Sequence, residues 1–265
     1  MPQVTSYVHG TPSWVDLATP DPAASREFYG ALFGWSYDEQ SAGERGTYIM
    51  CSKGDDAAAG MMQLSEEMSE AGMPPCWSSY VTVEDLDAAL VKVEPAGGQV
   101  AQPAMDAMDA GRMAVIVDPA GAGICMWEAR DHIGAGVVNE HGALIWNELI
   151  TPDPAAVAPF YEAVFGWTAT TMPMPNGEYV VYSTEGKGPE ESIAGAMKPP
   201  MDGMPAFWGV YFAVDDCDAT VALAKEHGAA LLAEPISVPG VGRFAAMMDP
   251  QGAAVSVMQP ESGEG

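Results

Sequence analysis

Short runs of alternating apolar and polar residues, each closed by Pro or Gly, recur along the chain. WVDLAT (14–19) and WNELIT (146–151) are rich in Trp, Val, Leu and Ile and predict strands. Both continue into PDPAA. Pro20 and Pro152 end the strands. Asp21 and Asp153 stand where a carboxylate oxygen can cap the first free N–H groups of a helix. Pro22 and Pro154 then fill the first turn, where a missing N–H costs nothing. Phe28, Tyr29, Leu32 and Phe33 follow at helical spacing, and Gly34 and Gly166 close the two helices. Pro159 falls inside the second helix and is expected to kink it or to alter its first turn.

The pattern then turns back to strands in GTYIMCS (46–52) and AAGMMQL (58–64). WSSYVTV (77–83) begins a second unit. VEDLDAALVKVEPAGG predicts an amphipathic helix ending at Gly97–Gly98, and further strands follow, the last of them after DPAG (118–121). Each half reads as β-α-β-β-β twice, an α+β chain of four modules with strands dominating.

The halves are copies. His9 to Trp35 aligns without a gap on His141 to Trp167 and shares more than half of its positions. MPPCWSSYVTVEDLDA from Met73 pairs with MPAFWGVYFAVDDCDA from Met204, and GRMAVIVDPAG from Gly111 with GRFAAMMDPQG from Gly242. All three matches keep one offset to within a residue. Two domains, 1–130 and 141–265, are expected on either side of a linker at 131–140.

Composition narrows the function. The net charge of −27, from 37 acidic and 10 basic residues, opposes binding to nucleic acid and to anionic membranes. No apolar run is long enough to span a bilayer, and MPQVTSYVHG lacks the basic start and apolar stretch of a signal peptide. The four cysteines, Cys51, Cys76, Cys125 and Cys217, form no C-x-x-C pair. Reduced thiols and a cytoplasmic location are the expectation.

The strings DPAASREFYGALFGW, VEDLDA and DPAGA resemble the vicinal oxygen chelate superfamily, which includes glyoxalase I, bleomycin-resistance proteins and extradiol dioxygenases. The tandem form, with its W-x-[DE]-L strands and GR[MF]A, is similar to an actinobacterial glyoxalase-like group, which includes a mycobacterial culture-filtrate antigen and an anthracycline-pathway accessory protein. The resemblance implies that two modules curl one mixed sheet into a cup with helices outside. It also implies a divalent metal held by His, Gln or Glu on four strands. Carried onto this chain, the first-strand positions are Trp14 and Trp146, the fifth-strand positions Ser78 and Gly209, and the last-strand positions Cys125 and Ser256. The fourth-strand position falls near Met61, Met62 or Met197. None is His or Glu, so no metal and no cofactor is expected.

His9 and His141 precede the strands, outside the cups; His132 lies in the linker and His227 ends a helix. Glu128 is displaced by an odd number from the ligand position and belongs to the opposite face. Alternation instead selects Trp14, Asp16, Ser78, Tyr80, Thr82, Cys125 and Trp127 for the first cup. For the second it selects Trp146, Glu148, Gly209, Tyr211, Ser256 and Met258. Rings with a few polar groups suit a flat, largely apolar ligand, and they equally suit a filled core. Asp16 and Glu148 are the candidates for acid–base chemistry or for pairing with a ligand amine. Arg112 and Arg243 are read as ion-pair partners. The 18 methionines cluster in loops that could form mobile lips.

Three functions follow. The first is a metal-independent protein binding an apolar or aromatic metabolite, in an antibiotic-biosynthesis accessory or resistance role. The second is an enzyme using Asp16 or Glu148, or a displaced metal site. The third is a scaffold with filled cups. A monomer with an internal pseudo-two-fold is expected, with a dimer as the alternative.

Overall fold

Asp21 and Asp153 cap their helices as the sequence predicts. Each accepts a hydrogen bond from the N–H three residues on, Ala24 at 3.0 Å and Ala156 at 3.1 Å. The helices, α1 (Pro22–Phe33) and α4 (Pro154–Phe165), end at Gly34 and Gly166, which take φ of 68° and 72°. That left-handed turn is cheap only without a Cβ. Pro159 does not shorten α4, which matches α1 in length.

The computed structural model describes residues 4–43, 46–70, 72–174, 177–201 and 203–261. Its first half runs β1 (Pro12–Thr19), α1, β2 (Ser36–Ser41), β3 (Thr47–Lys53), β4 (Asp56–Gln63), the short α2 (Glu66–Glu70) and β5 (Cys76–Thr82). α3 (Leu86–Leu90), β6 (Gln99–Ala107), β7 (Gly111–Val117) and β8 (Gly123–Ala129) complete it. The second half repeats the plan: β9 (Leu144–Ile150), α4, β10 (Thr168–Met174), β11 (Gly177–Ser183), β12 (Ser192–Met197) and β13 (Phe207–Ala213). α5 (Cys217–Glu226), β14 (Ala230–Val238), β15 (Gly242–Met248) and β16 (Ala254–Pro260) follow.

Each half forms one curled eight-stranded sheet, in the orders β2-β3-β4-β1-β5-β8-β7-β6 and β10-β11-β12-β9-β13-β16-β15-β14. The first strand of each half lies at the middle, parallel to the fourth and antiparallel to the fifth. Both modules therefore contribute to one concave face, which is the cup.

The helix predicted in VEDLDAALVKVEPAGG, ending at Gly97–Gly98, is shorter than expected. α3 stops at Leu90, and turns fill 91–97. β-Branched Val91 and Val93 weaken the helix there, and Pro95 has no N–H to donate. The matching segment, TVALAKE, has stronger helix formers, and α5 runs on to Glu226.

The faces away from the cups pack together across the halves. One core joins Val15, Phe28, Phe33, Trp35 and Trp77 to Phe212, Val221 and Val257. The other joins Val81, Leu86 and Ile124 to Phe160, Phe165 and Trp167. Each helix-side core thus belongs to both domains, and burying this apolar area holds them together. At the centre Ser79 and Asn147, both buried, share a 2.7 Å hydrogen bond.

Candidate functional site

β1 is buried along its whole length, and its side chains alternate between the helix-side core and the cup. Val15 and Leu17 take the core. Trp14 and Asp16 take the cup, where Trp14 packs with Tyr80, Cys125, Trp127 and Ala135. The same alternation on β9 sends Leu149 to the core and Trp146 and Glu148 to the second cup.

Asp16 is bound by two tyrosines. Tyr80 donates to its Oδ2 at 2.7 Å and Tyr48 at 3.4 Å, while Trp14 Nε1 donates to the Tyr48 hydroxyl at 2.8 Å. The second cup repeats the chain of bonds. Tyr211 donates to Glu148 Oε2 at 2.6 Å, Tyr179 to Oε1 at 2.7 Å, and Trp146 Nε1 to the Tyr179 hydroxyl at 2.9 Å. Tyr48 and Tyr179 were not among the residues selected by alternation. Their signal is the repeated Gly-x-Tyr of GTYIMCS and GEYVVYS. It carries weight only once β3 and β11 are placed beside β4 and β12.

Glycine makes room for each tyrosine. Gly60 pairs with Asp16 and Gly195 with Glu148. A Cβ at either position would collide with the hydroxyl of Tyr48 or Tyr179. The tyrosine reaches the central strand by crossing a strand that has no side chain in its way.

Burial raises both carboxylates. Asp16 is pushed up to about 6, with the bonds from Tyr80, Tyr48 and Ser78 opposing the rise. Glu148 is also raised by burial, against bonds from Tyr211 and Tyr179. Neither has a basic side chain as a partner among the described residues. The two lie in different cups and are not a dyad.

The cups differ in their covering. The linker crosses the first one. The Ala135 N–H bonds Ser13 O and the Gly136 N–H bonds Ala57 O, both at 2.8 Å, and the Tyr7 hydroxyl donates to Ala135 O at 2.7 Å. His132, expected only as a linker residue, packs edge-on against Trp14 with centroids 4.5 Å apart. Trp127 Nε1 donates to His132 O at 2.9 Å. Burial lowers the His132 imidazole to about 4, and its Nε2 has no partner. In the second cup Trp146 and Phe244 are half-buried, and Met172, Met174 and Ile236 on the cup side of the edge strands are exposed. Met172 pairs with Tyr179 and Ile236 with Phe244, so they share that face.

His9, His141, Glu128, Arg112 and Arg243 make structural contacts. Nδ1 of His9 and of His141 accepts a hydrogen bond at 3.2 Å, from the Glu84 N–H and the Asp215 N–H. Glu128 caps α3 by accepting from Leu86 N–H at 2.7 Å, on the face away from the cup. Arg112 pairs with Asp87 at 3.1 Å and Arg243 with Asp218 at 2.7 Å, each tying a strand to a helix. Thr82 bonds Ser13. Met258 and Ser256 lie on the cup face of β16, beside Tyr211. Met61 is a correction: it is wholly buried in the helix-side core, leaving Gly60 and Met62 as the cup-facing pair on β4.

The sequence profile of the Glyoxalase/Bleomycin resistance protein/Dioxygenase superfamily matches residues 11–126 and again 136–257. The chain belongs to this superfamily. Among its relatives, "Putative glyoxylase CFP32" of Mycobacterium tuberculosis is 48% identical over 262 residues, covering 98% of each chain. "Anthracycline biosynthesis protein DnrV" of Streptomyces peucetius is 35% identical over 274 residues, covering 98% of this chain and 97% of the relative. The fold is shared with the 2,3-dioxygenase LapB from Pseudomonas sp. KL28, at TM-score 0.65, 14% identity and coverage of 97% and 94%. It is also shared with a Mn(II)-bound glyoxalase from Novosphingobium aromaticivorans, at TM-score 0.63, 15% identity and coverage of 95% and 83%.

The superfamily's metal can be tested against these residues. A hard divalent cation needs several oxygen or imidazole donors converging on one point. The positions facing the first cup hold Trp14, Met62, Ser78 and Cys125; those facing the second hold Trp146, Met197, Gly209 and Ser256. Asp16 and Glu148 are each already bound by two phenols, and among the described residues no three His, Cys, Asp or Glu side chains converge. This donor set does not fit the metal. No helix among the described residues is long and apolar enough to cross a membrane.

Proposed function

We propose that the chain binds a small, largely apolar and aromatic metabolite in a cup, without a metal, in an accessory or resistance role in antibiotic biosynthesis. The observation that carries this reading is the Trp–Tyr–carboxylate–Tyr arrangement, built twice beside the positions where the superfamily would place metal ligands. Aromatic walls supply area for a flat ligand, and the carboxylate supplies one oriented polar contact. Two relatives are named for anthracycline biosynthesis, which points to fused-ring metabolites as the first ligands to try. The partners proposed are such a metabolite alone, with no nucleic acid and no membrane, for a cytoplasmic monomer whose halves satisfy each other.

The test joins metal analysis to ligand screening. Protein prepared without chelator or added metal is expected to hold far less than one metal per chain. A library of aromatic polyketides is expected to raise its melting temperature. Stoichiometric metal, or no shift from any member, refutes the reading.

A second reading is favoured by Asp16, a carboxyl buried in the cup and held by Tyr80 and Tyr48, whose burial pushes it up to about 6. If Asp16→Asn or Glu148→Gln abolishes turnover of a bound metabolite and leaves its binding intact, the protein is an enzyme.

A further inference from the structure

We infer that the second cup is the ligand seat, and that its ligand is an aromatic body carrying a protonated amine, with the ammonium on Glu148. This rests on the binding reading above and names its site and ligand class.

Three differences single out the second cup. The first is at the position opposite the carboxylate. Asp16 pairs across the strands with Ser78, and Glu148 with Gly209. The Ser78 hydroxyl lies beside Asp16 and acts to lower its carboxyl. Gly209 offers Glu148 nothing, and a Cβ there would meet no atom closer than 3.6 Å. Those contacts, with Glu148 O and the Phe207 ring, are ordinary ones, so the second cup differs in lacking the side chain that Ser78 places beside Asp16. The second difference is cover: the linker lies against Trp14 and Trp127, which are buried, whereas Trp146 and Phe244 of the second cup are half-buried. The third is the rim, where the second cup carries apolar Met172, Met174 and Ile236, 43%, 39% and 51% exposed, and the first cup's edge strand β2 carries polar Asp38 and Gln40 on that face.

Charge selects the amine. Glu148 is 7% exposed and has no cationic partner among the described residues. Two phenols bond it, one per oxygen, so each oxygen keeps acceptor capacity for a further donor. A buried carboxylate is costly to ionise unless a cation joins it. An ammonium supplies that charge and two or three charge-assisted bonds; an alcohol supplies one neutral bond. Trp146, Tyr211 and Phe244 add ring faces that attract a cation and stack on an aromatic body. The net charge of −27 draws cations toward the chain from a distance.

The experiment compares 2-naphthylmethylamine with its neutral isostere 2-naphthylmethanol by calorimetry and tryptophan fluorescence near neutral pH. The amine is expected to bind once per chain and at least about tenfold tighter than the alcohol. That advantage should persist in about 0.5 M salt, where attraction by the surface field alone is screened out. Glu148→Gln should bring the amine down to the alcohol. Gly209→Leu, which adds a side chain on the cup face beside Glu148, should weaken both probes. The wild-type comparison needs no variant, so it decides even if Glu148→Gln fails to fold. Equal affinity for the two probes, two sites per chain, or an advantage that Asp16→Asn removes and Glu148→Gln spares would each overturn the inference. If polyketides raise the melting temperature while the amine has no advantage, this inference fails and the broader reading stands. If neither probe nor any polyketide binds, both fail.

Discussion

The Tyr29 hydroxyl donates a 2.8 Å hydrogen bond to Asp249, 220 residues away and in the other domain. Tyr161 mirrors it on Asp118 at 2.9 Å. Each aspartate is the first residue of a DPxG turn. One oxygen holds the turn, accepting from Gln251 and Ala253 in one case and from Ala120 and Ala122 in the other. The second oxygen takes the tyrosine. Trp77 and Trp208 close the arrangement by donating to the same hydroxyls at 2.9 Å.

Tyr29→Phe therefore leaves two buried groups without a partner, an indole N–H and a carboxylate oxygen. The expected loss is about 2–4 kcal/mol of unfolding free energy, and Tyr161→Phe should match it. Urea denaturation followed by fluorescence measures both, and a loss below about 0.5 kcal/mol in each would show that the latch does not hold the domains.

Gly195→Ala tests the crossing of Tyr179 over its strand. The added methyl displaces the phenol from Glu148, frees the Trp146 N–H, and costs about 1–3 kcal/mol. A changed Trp146 environment in near-ultraviolet circular dichroism is the accompanying signature. An unaltered spectrum and stability would mean that the glycine is incidental.

Asp16 makes stability depend on pH in a defined direction. Its carboxyl titrates near 3.8 when exposed and near 6 when folded. Between those values the native state holds the proton that the unfolded chain has released. The contribution is whole below the lower value and is lost as pH rises through the upper one. Relative to Asp16→Asn, the wild type should lose about 3 kcal/mol between pH 3.5 and 7. Denaturation of both proteins across that range provides the check, and a constant difference would mean that Asp16 is not desolvated.

Burial also silences the thiols. Cys76 and Cys217 are pushed up to about 11 and Cys51 to about 12, with Cys125 raised further. At pH 8 the thiolate fraction at Cys76 and Cys217 is on the order of a thousandth or less. A thiol-specific disulfide reagent should react slowly with native protein and with all four cysteines after denaturation. Rapid native labelling would contradict the burial.

Local signals were legible wherever one segment holds all the parts. Asp21, Pro22 and Gly34 sit within one helix, and the sequence alone located its cap, first turn and end. Alternation on β1 and β9 also placed Trp14, Asp16, Trp146 and Glu148 correctly, because side-chain direction along a strand needs no partner. The tail of α3 was misread, since its apolar spacing continues past the point where Val91, Val93 and Pro95 withdraw helix propensity.

The site's bonding is a tertiary fact. That Tyr48 reaches Asp16, and Tyr179 reaches Glu148, depends on β3 and β11 lying two strands out from β1 and β9, with a glycine on the strand between. Nothing within GTYIMCS reports that neighbour. His132 was a linker residue until the chain crossed the first cup. The duplication determined two equivalent scaffolds, because caps, strand alternation and turns are set by contacts a few residues apart. The fold alone decided that the linker covers Trp14 in one cup and that Trp146 stays half-buried in the other, because cover comes from segments far apart in sequence that pack only when both sheets are closed.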